Sequence, residues 1–170
     1  MGATMNKQLA AIFLLLTTLP VCAADIGGIF EQGSAQFSVL GGNGSAFNNN
    51  YLVIGAGVNY YVADRVGLGL SYENWSGSNP GIQKISPSIQ YVFHRLDYLQ
   101  PYLGGFYRHS VITGQSGINS VGVRAGVYFP TGGKSVVGAG IAYESYLSCK
   151  TAIYNSCNEA YPEVSFIIGF

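Results

Sequence analysis

Charged side chains are scarce in this chain. Asp, Glu, Lys and Arg make up 9% of its 170 residues, against about 25% in ordinary soluble domains. A water-soluble domain needs a well-charged exterior, and this sequence has little to build one from. Eight basic and eight acidic residues cancel, and the absence of a basic run argues against nucleic acid as a partner. Long apolar runs are also missing. Beyond Leu9–Val21 (LAAIFLLLTTLPV), nothing approaches the roughly 20 apolar residues of a spanning helix. If the chain enters a membrane, it does so as strands. Cysteine is limited to Cys22, Cys149 and Cys157, and histidine to His94 and His109. These lack metal-ligand spacing, so neither a metal site nor a cofactor is expected.

The one apolar run names a compartment. Lys7 precedes it and the small residues of VCAAD close it, which is the pattern of a secretory signal with an A-x-A-like cleavage site. Cleavage is expected after Ala23 or Ala24, dividing the chain into a signal at 1–24 and one domain at 25–170. Cys22 suggests a lipoprotein signal, but Pro20 and Val21 before it fit that signal poorly. Its removal leaves Cys149 and Cys157. In an exported chain an even pair this close reads as a disulfide.

Glycine, tyrosine and phenylalanine are plentiful, at 24, 13 and 9 residues. The last residues show how they are used. Phe170, Ile168, Phe166, Val164 and Pro162 occupy one face at period 2, and Gly169, Ile167, Ser165, Glu163 and Tyr161 the other, which is the alternation of a β-strand. A soluble domain rarely leaves such an edge at its very end. Closing the sheet removes the edge, and a closed sheet with an apolar exterior can span a bilayer. Turn signals divide the rest into runs of strand length, giving eight in all: 34–42, 51–62, 66–75, 84–94, 100–111, 119–130, 135–147 and 161–170. The first, third, fifth and seventh connections are polar and mostly longer (NGSAFNNN, SGSNPGIQ, TGQSGI and SCKTAIYNSCNEA). The second and sixth are tight, at Ala63-Asp64-Arg65 and Thr131-Gly132-Gly133-Lys134. The fourth, RLDYLQ, is moderate. The reading is an all-β, eight-stranded antiparallel up-and-down transmembrane β-barrel, with long loops at one end and short turns at the other.

The charges test this reading. Phasing each run by its apolar residues puts Glu73, Lys84, Arg108, Arg124, Glu144 and Glu163 on the less apolar face, although Arg108 itself helped to phase the fifth run. None is forced onto the apolar exterior, where Lys or Arg at the midplane would cost about 2–4 kcal/mol. Aromatics gather near strand ends, with Tyr72, Tyr107 and Tyr143 at one rim and Phe93, Phe129 and Phe170 at the other, as interfacial girdles require. A soluble sandwich or lipocalin-like barrel would turn its apolar face inward and need the charged exterior that is missing here.

The terminal strand VSFIIGF and the hairpin GAGVNYYVADRVGLGLSYE, with Gly57, Tyr60, Asp64, Leu68 and Tyr72, resemble the small outer-membrane β-barrels of Gram-negative bacteria, the OmpX-like, OmpA-type and opacity-type group. The resemblance covers nearly all of residues 25–170. It implies an outer-membrane location with loops outside and both termini in the periplasm. It further implies contact with membrane lipids and lipopolysaccharide, and insertion by the barrel-assembly machinery reading Phe166, Ile168 and Phe170. A monomer is expected. No peptidoglycan-binding domain is expected after the barrel, so an OmpA likeness is expected to stop at Phe170.

A barrel of eight strands has an interior just wide enough for side chains to fill. Tyr61, Tyr102, Phe106, Tyr128 and Tyr146 should occupy room left by Gly55, Gly57, Gly67, Gly69, Gly138 and Gly140, arguing against a wide pore. The inward charges should be paired. Glu73 and Lys84 could face each other across neighbouring strands, as could Arg124 and Glu144. His109 and Ser110 are the sole hint of nucleophilic catalysis. Lipid A deacylases carry a lipid-facing Ser and His two apart on one strand, whereas adjacent residues point to opposite faces. No outward carboxylate orients the imidazole, so no catalytic residue is assigned. His109 and His94 read instead as rim residues. The sequons Asn43-Gly44-Ser45 and Asn74-Trp75-Ser76 carry no weight in a bacterial setting. The expected function is a non-enzymatic surface or envelope protein, acting in integrity, adhesion or environmental contact through its loops. A lipid A-modifying enzyme and a narrow small-solute channel are the alternatives.

Overall fold

The structure is a computed structural model and describes residues 28–46, 49–93, 99–147, 149 and 157–170. The expected signal segment, residues 1–24, lies outside the described residues, as do His94 and most of the last connection.

Eight strands run β1 (Ala35–Ala46), β2 (Asn49–Ala63), β3 (Val66–Ser76), β4 (Ile82–Val92), β5 (Gln100–Ile112), β6 (Ile118–Gly132), β7 (Ser135–Tyr146) and β8 (Asn158–Gly169). Each pairs antiparallel with the next, and β1 pairs with β8 to close the barrel. Their 11 to 15 residues meet or exceed the about 9–11 that a tilted strand needs to cross a bilayer. The tight connections β2–β3 and β6–β7 each follow a register shift, at Tyr61/Ala63 and Pro130/Gly132. Turn chemistry explains them. Arg65 and Gly133 hold φ of 67° and 61°, the left-handed conformation that reverses a hairpin in few residues.

Burial is inside out. Outward residues such as Ile54, Leu70, Ile89, Leu103, Val123 and Ile141 are exposed, while inward Tyr61, Trp75, Arg108 and Glu144 are at most 1% exposed. Among the described residues, no Asp, Glu, Lys or Arg sits on an outward strand position; those not in the lumen lie in turns or before β1. The outward rings Tyr72, Tyr107 and Tyr143 ring the loop end, and Phe93, Phe129 and Phe170 the turn end, all exposed. A band of apolar side chains between two aromatic rings is what a bilayer, not water, stabilises.

Several strands run further than their apolar residues suggest. The sequence ends the first run at residue 42 and begins the second at 51, yet β1 and β2 stay paired up to Ala46–Asn49. Likewise β4 begins at Ile82 and β8 at Asn158. A hairpin ladder already in register can continue through Asn and Ser beyond the apolar band, because main-chain hydrogen bonds do not depend on side-chain polarity.

Candidate functional site

Among the described residues polar chemistry concentrates in the lumen, and it is organised in layers. At the turn end the segment before β1 folds back into the barrel mouth. Phe30 stacks on Tyr128 (5.4 Å between ring centroids) and meets Tyr61 edge-on (5.7 Å), while Tyr102 stacks on Tyr128 at 4.3 Å. Val92, Val136 and Ile167 complete this buried cluster. The segment is pinned by the Gly33 N–H to the Tyr61 carbonyl (2.8 Å), the Arg65 N–H to the Phe30 carbonyl (2.7 Å) and the Gln36 amide to the Ile29 carbonyl (2.7 Å). Gln90 joins the tyrosines, donating to the Tyr61 hydroxyl (2.7 Å) and accepting from that of Tyr128 (3.0 Å). The sequence places Tyr61, Tyr102 and Tyr128 in the interior, as found, but not Phe30, because residues 25–33 carry no periodic pattern.

Glycine makes room for these rings. A Cβ at Gly138 would lie 2.8 Å from the Tyr128 ring, and one at Gly122 would lie 2.2 Å from Phe106. Above the plug lies a polar cavity of about 30 Å³ lined by Ser38, Asn59, Ser71, Ser88, Arg124 and Glu163, among others. It has room for about two waters.

The ionic layer centres on Arg108 of β5, which is fully buried. Its Nη2 donates to Glu73 Oε1 on β3 (2.5 Å) and its Nε to Ser86 Oγ on β4 (2.7 Å). Its Nη1 donates to Glu144 Oε2 on β7 (2.7 Å) and to the Tyr161 hydroxyl on β8. One guanidinium thus ties its strand to four others across the lumen, using the planar fork that Lys lacks. Lys84 lies 3.7 Å from Glu144 and 3.6 Å above the Trp75 ring. Arg124 pairs with Glu163 at 3.7 Å, and its guanidinium and that of Arg108 both lie over the Phe106 ring, at 4.9 and 4.7 Å.

Both sequence-based pairings come out differently. Glu73 and Lys84 are directly opposed in register, but Glu73 is taken by Arg108 and Lys84 turns to Glu144. Arg124 is opposed to Ala142, two residues from Glu144, and reaches Glu163 instead. Neighbouring strands are the natural guess from sequence, whereas long side chains in a narrow lumen reach across it. The structure also adds Glu159, which accepts from the Tyr146 hydroxyl at 2.9 Å. The sequence places it in a loop, although it shares the odd-numbered face of Tyr161 and Glu163.

At the loop end, Tyr51, Trp75, Ile82, Ile112 and Ile118 form a second buried cluster, with Val53 and Tyr146 against it. Trp75 Nε1 donates to Glu73 Oε2 at 3.1 Å, coupling this plug to the ionic layer. Trp75 was not singled out from the sequence, although it continues the face of Ser71 and Glu73 by period 2.

His109 and Ser110 do point to opposite faces. His109 is exposed on the outside with Nδ1 2.7 Å from Asn119 Oδ1, and Ser110 is buried inside. Phe166, Ile168 and Phe170 are outward and exposed. Cys149 and Cys157 are bonded, with Cα atoms 5.5 Å apart. Their position beyond β7 and β8 leads to an expectation. Replacing both by Ser should leave insertion intact, and thiol labelling of unreduced, denatured wild type should find no reactive Cys149 or Cys157. Two labelled thiols per chain would contradict the bond.

Neither a family model nor a curated protein matches the chain. Solved structures do. The N-terminal β-barrel domain of OprF from Pseudomonas aeruginosa aligns with a TM-score of 0.66 at 18% identity, over 82% of this chain and 98% of that domain. Neisserial surface protein A aligns at 0.57 and 16% identity, over 80% and 94%. The outer membrane protein OprG of Pseudomonas aeruginosa aligns at 0.54 and 11%, over 86% and 99%. The fold is that of the eight-stranded outer-membrane barrels. At these identities the likeness is one of fold and carries no activity with it.

Proposed function

We propose that this chain is a monomeric integral outer-membrane protein that neither conducts nor catalyses. In this reading it holds a constrained outer rim against the environment, in envelope integrity, adhesion or surface contact. The observation that carries the reading is the lumen. It is closed by side chains at both ends, with an ion network between them that fastens five strands together. A pore needs a wet path, and a lipid-facing hydrolase needs its nucleophile and base on one face; His109 and Ser110 are on two. The exposed apolar belt would contact membrane lipids and lipopolysaccharide, with the loops outside and both termini in the periplasm. Phe166, Ile168 and Phe170 would present the terminal strand to the barrel-assembly machinery. The fold shared with OprF and a neisserial surface protein supports this location.

The test is electrical. Reconstituted in planar bilayers, the protein should show no stepwise conductance, and lipid A incubated with it should keep its mass. Reproducible single-channel steps would overturn the plugged reading, and a loss of acyl mass would overturn the non-enzymatic one.

A further inference from the structure

The barrel seam is incomplete. The ladder between β1 and β8 runs from Gln36–Gly169 to Gly41–Val164 and stops. Each strand continues outward on its other partner, β1 with β2 to Ala46 and β8 with β7 to Asn158. The break coincides with one residue. The Phe170 N–H bonds the Ala35 carbonyl across the seam, while the Gly169 N–H bonds the Lys134 carbonyl on the β7 side. Even-numbered residues of β8 therefore turn their main-chain groups toward β1. The next of these after Val164 is Pro162, which has no N–H to give, and proline is tolerated in sheets only where a ladder breaks. Pro87 in β4 is a useful contrast. There the ladder with β5 skips Ser86 and Pro87 and resumes in the same register at Ile85–His109. At Pro162 it does not resume.

A cleft of about 20 Å³ occupies the break. Its outer lip is Gly41, Asn43, Pro162 and Val164, which face away from the lumen, and its inner wall is Leu40, Gly42, Val53 and Tyr161 with Glu73 and Glu163, whose carboxylates are paired with Arg108 and Arg124. It is thus a window through the wall, at Pro162, two residues along β8 from Ala160, the register partner of the girdle residue Tyr143. With both carboxylates engaged by arginines, the surface left open in the cleft is mainly apolar, and together with the surrounding belt of exposed apolar side chains it selects the occupant. Its size admits part of one alkyl chain, not a folded ligand. We infer that the β1–β8 window is a lateral binding site for an acyl chain of an outer-leaflet lipid. The inference rests on the bilayer placement proposed above.

Trp75 is the chain's single tryptophan, and it lies just behind the window. Its ring meets Tyr161, which lines the cleft, edge-on at 6.2 Å, and a Cβ on Gly44 would lie 2.3 Å from it. Two substitutions should close the window by different means. Gly42→Val fills it, since a Cβ there meets only the Pro162 carbonyl, at an ordinary 3.5 Å. Pro162→Ala restores the missing donor and lets the seam zip outward. The probe is a phosphatidylcholine vesicle whose lipids are brominated in the upper half of one chain. Trp75 fluorescence of the wild type should be quenched relative to unbrominated vesicles, and each variant should lose most of that quenching while still floating with the vesicles. Equal quenching in the wild type and both floated variants would overturn the window alone. Failure of the wild type to float would overturn the bilayer placement and the window with it.

Discussion

Replacing Arg108 by Met should cost the folded barrel about 3–5 kcal/mol, because removing one member of a buried ion network leaves uncompensated charge behind. Glu73 and Glu144 would both lose their guanidinium partner, and Tyr161 and Ser86 would lose a donor. Lys84, 3.7 Å from Glu144 alone, cannot replace a fork that reaches four strands. The measurement is the folded-to-unfolded equilibrium in urea, followed by the gel-mobility difference between folded and boiled protein. An equilibrium about a hundred- to several-thousand-fold less favourable is the corresponding readout. The mechanism has its own control. Adding Glu73→Gln to the Met variant removes the carboxylate left without a cation, while Glu144 keeps Lys84, and should recover part of the loss. If the double variant is as unstable as the single one, packing rather than charge is what Arg108 supplies.

The second large effect concerns the outside. Leu70 is 53% exposed and sits on the outward face between Val58 of β2 and Pro87 of β4. On a soluble domain an exposed Leu→Arg change falls within about 0.5 kcal/mol of neutral. Here Leu70→Arg should destabilise the inserted barrel by about 2–4 kcal/mol, the cost of a cation near the bilayer midplane. The same substitution at Glu31, exposed before β1, should change stability little. Equal, small effects at both positions would mean that lipid does not cover the belt.

How much of this was legible in the sequence follows from the range of the interaction concerned. Side-chain alternation is local, so the faces of Glu73, Lys84, Arg108, Arg124, Glu144 and Glu163 could be read at period 2, and the structure has all six inside. Turn chemistry is local too, which is why the Asp64-Arg65 and Gly132-Gly133 reversals were placed. Strand ends were harder, because Asn49 and Asn50 read as loop by composition but pair as ladder. The partners of each charge were not legible. Which strands face each other across a lumen depends on barrel closure and tilt, a property of the whole sheet. Phe30 and Glu159 were missed for different reasons. Phe30 belongs to an irregular segment with no period to read, and Glu159 lies beyond the last apolar residue used to phase β8.

The central claim is that the apolar belt lies in lipid around a folded, plugged barrel. Flotation of the purified protein with preformed vesicles through a density gradient, followed by electrophoresis with and without boiling, tests it most directly. The account requires the protein to float, to resist alkaline extraction, and to migrate differently before and after boiling. Purification as a soluble monomer that needs no detergent, stays at the bottom of the gradient and shows no shift on boiling would contradict it.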